Sequence, residues 1–454
     1  MDNMGFISVI PAIFLIAYIF YTKRILEALT LACLMGFFIG HRGGFFTAFI
    51  DGLLDVSMDY DMIWLWVVCG LMGSIIALIE KAGGSFAFGE WVSKRAKTRK
   101  STLIWTWILG IGIFIDDYLN SLTVGSCMAP NTDRHKVSRE MLAYVVDSTA
   151  APICVLIPIS TWAVFAAALL EANGFAPRGE GMLYFIRTIP YNFYAWIAVI
   201  IVPLVIIGVV PLVGPMKRAE QRAQETGVLA PPGSEKIDIK AGEIVETPEN
   251  PKIYNFFLPM IFLVAATIYF EVDMMMGVIT TVAFMYVLYI PQKIMTADEF
   301  WDLSIKGIKN MIYPLMLMVL AFLFAEANEQ IGFTSFIIES ATPLMTPHLL
   351  PLVVFIVLTI TEFITGTNWG MYIIALPIVI PLALSVGANP FIAIGAVLSA
   401  GVFGSHICFY SDATILTSAA CGCDNFQHAL SQMYYGFMAA GLSAVAFLVA
   451  GFIF

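Results

Sequence analysis

Apolar runs of helix length, separated by short polar turns, recur along the chain near residues 4–22, 25–40, 62–80 and 102–115. Two interrupted runs follow, 118–130 and 141–170, then a further one at 193–213. The pattern stops at a hydrophilic stretch, 214–252, rich in Lys, Arg, Glu, Pro and Gly, which reads as a linker. It resumes near 253–270, 275–290, 310–326, 348–363, 369–385, 390–418 and 432–453. This pattern predicts an all-α polytopic membrane protein. Composition agrees: 59% of residues are apolar and 12% charged, against about 45–50% and 25% in soluble domains, and the mean hydropathy is +0.86.

The second set of runs echoes the first. Pro11 within VIPAIFLIAYIFY matches Pro259 within FLPMIFLVAATIY, Glu80-Lys-Ala-Gly matches Glu329-Gln-Ile-Gly, Ile115-Asp-Asp matches Ile364-Thr-Gly, and Pro152-Ile-Cys154 matches His406-Ile-Cys408. The offset stays at about 250 residues, as internal duplication requires. The expected organisation is a first repeat (1–213), a linker (214–252) and a second repeat (253–454). If the Lys23-Arg24 turn is cytoplasmic, nearly all Lys and Arg lie on that side, the exceptions being Arg42, Arg178 and Arg187. The linker is then cytoplasmic and the repeats have opposite topology, which is a transporter architecture. The start of the chain carries no basic region ahead of its first apolar run and no small-residue cleavage site, so 1–21 reads as a retained span.

Chemistry concentrates where the runs are interrupted. The segment 110–162 holds Asp116, Asp117 and Asp147 in otherwise apolar surroundings, and a carboxylate in hydrocarbon costs at least ~2.5 kcal/mol. The pattern predicts a hairpin over 102–130 with Asp116, Asp117 and Asn120 at its bend. An inverted partner over 348–385 would bend at Thr365, Gly366, Thr367 and Asn368. Broken helices follow each hairpin: Pro152 and Pro158 interrupt the first, and Gly401, Gly404 and Ser405 loosen the second ahead of His406, Ser411, Asp412 and Thr414. Freed carbonyls, hydroxyls and carboxylates together suit a small hard cation. Asp117, Asp147, Asn120 and Asp412 are the expected cation ligands. Asp116, Thr123, Ser148, Thr149, Thr365, Thr367, Asn368, Ser411 and Thr414 are further oxygen donors, and His406 is either a pH-sensing group or a satisfied interior histidine. Adjacent Asp116 and Asp117 point about 100° apart on a helix, so one faces the ion and the other caps or pairs within the protein. Hydroxyls in membrane helices also commonly bond to their own backbone. Glu80, Glu326, Glu329 and Glu362 read as interfacial groups near span ends.

The segments IDDYLNSLTVGS, DSTAAPICVLIPIS and, more loosely, GSHICFYSDATILTS resemble the signature segments of the NhaC family of sodium/proton antiporters, within the ion transporter superfamily. The resemblance implies an inverted-repeat fold with a scaffold and a mobile elevator-like part, often dimeric, in the cell membrane. It implies exchange of Na⁺ for H⁺, although some relatives move small organic acids coupled to these ions. Where the family often has Gly-Asp-His, this chain has Gly404-Ser405-His406, so one carboxylate is absent and room is left for an organic substrate.

A carboxylate moved into a low-dielectric cavity gains proton affinity and loses it to a bound cation, so one site with alternating access suffices for antiport. The alternative is a Na⁺- or H⁺-coupled carrier of a small organic acid or amino acid. No Lys or Arg follows Lys309, so a substrate carboxylate would have to rest on hairpin helix ends. A channel would need rings of polar groups around a pore. No nucleophile–base pair, nucleotide loop or metal-ligand spacing among the seven cysteines points to an enzyme or a bound cofactor. The net charge of −10 speaks against a nucleic-acid partner.

Overall fold

The computed structural model describes residues 4–22, 24–84, 87, 91–92, 94–234, 252–270, 273–333, 336, 345–365, 368–409 and 411–454. Among these every regular element is helical. By length and composition, four helical runs among the described residues can cross a bilayer: Leu26–Met58, Met62–Ala82, Pro390–Ile407 and Asn425–Ile453. Shorter apolar helices such as Thr161–Ala172, Tyr254–Tyr269 and Met274–Tyr289 accompany them.

Helices from the two halves pack against each other. Tyr60–Ala82 lies on Ala297–Asn310, where Gly73 and Gly307 let the backbones touch and Ser74 Oγ donates to the Ser304 carbonyl at 2.9 Å. Ile25–His41 lies on Ile312–Gln330, joined by Gly36 against Ala327 and Cys33 Sγ against the Leu320 carbonyl. The buried carboxylates Asp117, Asp147 and Glu362 lie on helices between Arg99 and Ile207 and between Leu350 and Ile453.

The expected first hairpin is present as Arg99–Gly112 and Asp117–Arg134. The run after it breaks into Arg139–Asp147, Ala151–Cys154 and Thr161–Ala172, with Pro152 in the first turn of the middle piece. The second hairpin is Leu350–Thr365 and Asn368–Val386. One break falls elsewhere than expected: Pro390–Ile407 runs unbroken through Gly401 and Gly404, and the chain leaves the helix only after Ile407. These glycines serve close approach instead. A Cβ on Gly401 would meet the Tyr372 ring at 2.4 Å, and one on Gly404 the Glu362 carboxylate at 2.4 Å.

The hydrophilic stretch opens with a docked helix, Gly214–Thr226, which buries Met216, Ala219, Glu220 and Ala223. Glu220 accepts from the Ser138 amide at 2.9 Å and the Ser138 hydroxyl at 2.7 Å, and pairs with Arg99. Arg222 pairs with Glu140 at 2.8 Å. Residues 235–251 lie outside the described residues.

Candidate functional site

The tip of the first hairpin satisfies its own backbone. Asp116 is the N-cap of the second helix: Oδ1 accepts from the Tyr118 and Leu119 amides, both at 3.0 Å, and Oδ2 from the Thr161 hydroxyl at 3.1 Å. Asn120 closes the preceding helix. Its Nδ2 donates to the carbonyls of Gly110 at 2.7 Å, Ile113 at 2.8 Å and Thr149 at 2.9 Å. Helix ends leave four amides or four carbonyls without intrahelical partners, and these two side chains take up several of them where no water would. Of the two adjacent aspartates, Asp116 is therefore the cap. Asp117 lies in the first helical turn, 2% exposed. Asn120 keeps only Oδ1, buried without a hydrogen-bond partner, as a potential ligand.

The Thr149 carbonyl held by Asn120 lies two residues past Asp147, so the hairpin tip and the first helix break are one assembly. Around Asp147 four further elements converge. Its Oδ2 accepts from Gln432 Nε2 at 2.8 Å, lies 3.1 Å from His428 Nε2, and is reached by the Thr414 hydroxyl at 3.5 Å. Thr414 also donates to the Ser405 carbonyl at 3.0 Å, and Gln432 Nε2 to the His406 carbonyl. His406 is held at both ring nitrogens, by the Ser148 hydroxyl at 2.9 Å and the Tyr194 hydroxyl at 2.8 Å. It is a satisfied interior histidine. Asp147, His428, Gln432, His406, Ser148 and Thr414 are each at most 1% exposed. The nearby guanidinium of Arg139 is directed to Asp133 and the Cys421 carbonyl.

The other expected residues divide. Thr149 bonds back to the Val145 and Val146 carbonyls, as hydroxyls in helices commonly do, so its oxygen serves its own turn. Thr123 is buried on the hairpin helix and Ser411 at the start of Asp412–Cys421. Thr367 lies outside the described residues, as do the side chains of Thr365, Asn368 and Asp412.

Sequence reasoning missed two features. His428 and Gln432, one turn apart, lie at the start of a helix that begins at Asn425 rather than near 432, because Asp424 caps it through the Gln427 amide at 3.0 Å. Their signal was two polar residues at i and i+4 where an apolar helix opens. Glu362 is not interfacial. It is fully buried in the second hairpin against Gly404, beside the helix where the Tyr372 hydroxyl donates to the Leu398 carbonyl at 2.9 Å.

The chain is similar to several known proteins. An uncharacterised protein of Haemophilus influenzae is 26% identical over 98% of this chain and 91% of its own length. The malate-2H⁺/Na⁺-lactate antiporter of Bacillus subtilis is 30% identical over 108 residues, 24% of this chain and 23% of that protein. In fold, the chain resembles the Alcanivorax borkumensis YdaH transporter with a TM-score of 0.58 at 10% identity, over 89% of this chain and 87% of that one. It also resembles Neisseria gonorrhoeae MtrF, from a class of antimetabolite efflux pumps, with a TM-score of 0.57 at 10% identity, over 90% and 84%. The named relatives are transporters rather than enzymes. Residues 178–452 match the model of the Na⁺/H⁺ antiporter family, and this chain belongs to that family.

Proposed function

We propose that this secondary transporter exchanges Na⁺ for H⁺ by alternating access, with buried aspartates as the shared cation and proton site. The observation that carries this reading is Asp147, 1% exposed and bonded to the amide of Gln432, the imidazole of His428 and the Thr414 hydroxyl, with neither Lys nor Arg among these contacts. A carboxylate so deeply buried is stable only when its charge is answered. A proton and a cation each answer it, and binding of one displaces the other. Asp117 stands in the adjoining hairpin as a second carrier, supported by its burial and its place in the first helical turn.

The cross-packing of helices from the two halves supports two inverted repeats, 1–213 and 253–454, joined by a cytoplasmic linker, 214–252. On this reading the protein sits in the cell membrane as a dimer and moves its site by an elevator-like displacement. The test is counterflow in proteoliposomes carrying an internal pH dye. Proton release driven by Na⁺ alone, lost in Asp147→Asn, is the expected result; Na⁺-driven release that survives in Asp147→Asn refutes the site. A maleimide reagent should reach Glu225→Cys only from the cytoplasmic side, and labelling from outside refutes the topology.

The second reading is coupled exchange of small organic acids, favoured by the 108-residue match to the malate and lactate antiporter. It requires that Na⁺ alone be silent until malate or lactate is added.

A further inference from the structure

Three buried oxygens on the elements that meet at Asp147 lack the partner their position should give them. Ser405 lies in the helix Pro390–Ile407, where a serine hydroxyl ordinarily donates to the carbonyl four residues back. Ser418, Ser443 and Ser304 do so in their own helices. The Ser405 hydroxyl makes no such bond, although it is fully buried. Ser411 is the N-cap of Asp412–Cys421 and makes no capping bond, whereas Ser138, Ser160 and Thr296 cap their helices. It too is fully buried without a partner.

Gln432 supplies the third oxygen, and its orientation is fixed by chemistry. Its other terminal atom faces the Asp147 carboxylate and the His406 carbonyl, both acceptors, so that atom is the nitrogen. The remaining terminal atom is therefore Oε1, buried and unpartnered. The three residues belong to one connected cluster. The Ser405 carbonyl and Asp147 Oδ2 share the Thr414 hydroxyl, Gln432 bonds the same Oδ2, and Ser411 begins the turn that carries Thr414. Water could satisfy these oxygens but would leave the Asp147 carboxylate charge to the His428 imidazole, 3.1 Å away. A hard monovalent cation satisfies both demands.

We infer that the cation is held at Asp147 by Gln432 Oε1 and the hydroxyls of Ser405 and Ser411. The assignment rests on the exchange reading above and gives that site its neutral ligands. It makes Ser405 a ligand in its own right.

The test is thermal unfolding of the purified full-length protein in detergent while Na⁺ is titrated against choline at constant ionic strength. Wild type is compared with Ser405→Ala, Ser411→Ala and Gln432→Met. In wild type Na⁺ should raise Tm saturably, and each variant should need about tenfold more Na⁺ for half-saturation. Without Na⁺, Ser405→Ala and Ser411→Ala should melt at or above the wild-type temperature, because each removes a buried hydroxyl that has no partner. A merely structural serine would give the reverse, a lower Tm without Na⁺ and an unchanged half-saturation. Wild-type half-saturation in both serine variants, in a protein that still exchanges Na⁺ for H⁺, overturns the ligand set alone. Wild-type protein indifferent to Na⁺ in both melting and transport overturns the exchange reading and the ligand set with it.

Discussion

Replacing Asn120 separates a structural clamp from an ion ligand. One NH₂ group carries two hydrogens and faces three carbonyl oxygens at 2.7, 2.8 and 2.9 Å, so one hydrogen is shared. Two of those carbonyls belong to the end of Arg99–Gly112 and the third to Thr149, beside the Asp147 turn. Asn120→Ala removes both donors and leaves the carbonyls buried and unanswered. At about 1–3 kcal/mol for each lost donor, the expected loss is about 2–6 kcal/mol. Asn120→Asp keeps shape and volume but puts a carboxyl oxygen where the nitrogen was, facing three acceptors. Even protonated, it offers a single hydrogen.

Asn120→Asp should therefore be the less stable variant, although it is the closer in shape. The assay is the melting temperature of the detergent-solubilised protein, followed by loss of the monodisperse size-exclusion peak. If Asn120→Asp melts with wild type, or above Asn120→Ala, the amide is not what holds the hairpin tip to the Thr149 turn, and the clamp reasoning is wrong.

Two further substitutions test the packing around the site. Arg222→Ala leaves Glu140, 3% exposed, without its guanidinium; the expected cost is on the order of 2–3 kcal/mol, discounted for the partly exposed arginine. Limited proteolysis should then cut faster at 227–234, and an unchanged cleavage rate would show that the helix Gly214–Thr226 is held without the Arg222–Glu140 pair. Gly73→Ala puts a Cβ 2.3 Å from the Gly307 carbonyl, backbone against backbone, and should cost about 1–3 kcal/mol or more. Gly112→Ala, with no atom within 4 Å of its Cβ position, should leave the melting temperature nearly unchanged; equal losses for the two glycines would contradict the close approach.

The hairpins and the broken run after Asp147 were legible because bilayer physics makes a buried carboxylate or a mid-span proline conspicuous. What each polar residue does was not. Asp116 and Asp117 are the same residue type side by side, and only the fold shows that Asp116 spends its oxygens on Tyr118, Leu119 and Thr161. Gly401 and Gly404 read as helix breakers, yet the helix passes through them because Tyr372 and Glu362 need the room. The same ambiguity hid Glu362 itself, which sequence position put at a span end and packing puts in the interior.

His428 and Gln432 were missed for a different reason: their partner Asp147 lies more than 280 residues away in the chain. No local pattern reports such a contact. A local pattern does report the anomaly next to it, for a hydroxyl that forgoes its own helix must be answering something else. Ser405 and Ser411 are two such hydroxyls. A cation held mainly by neutral oxygens leaves one buried negative charge, Asp147, to be answered at that site, and one proton suffices to answer it when the cation departs.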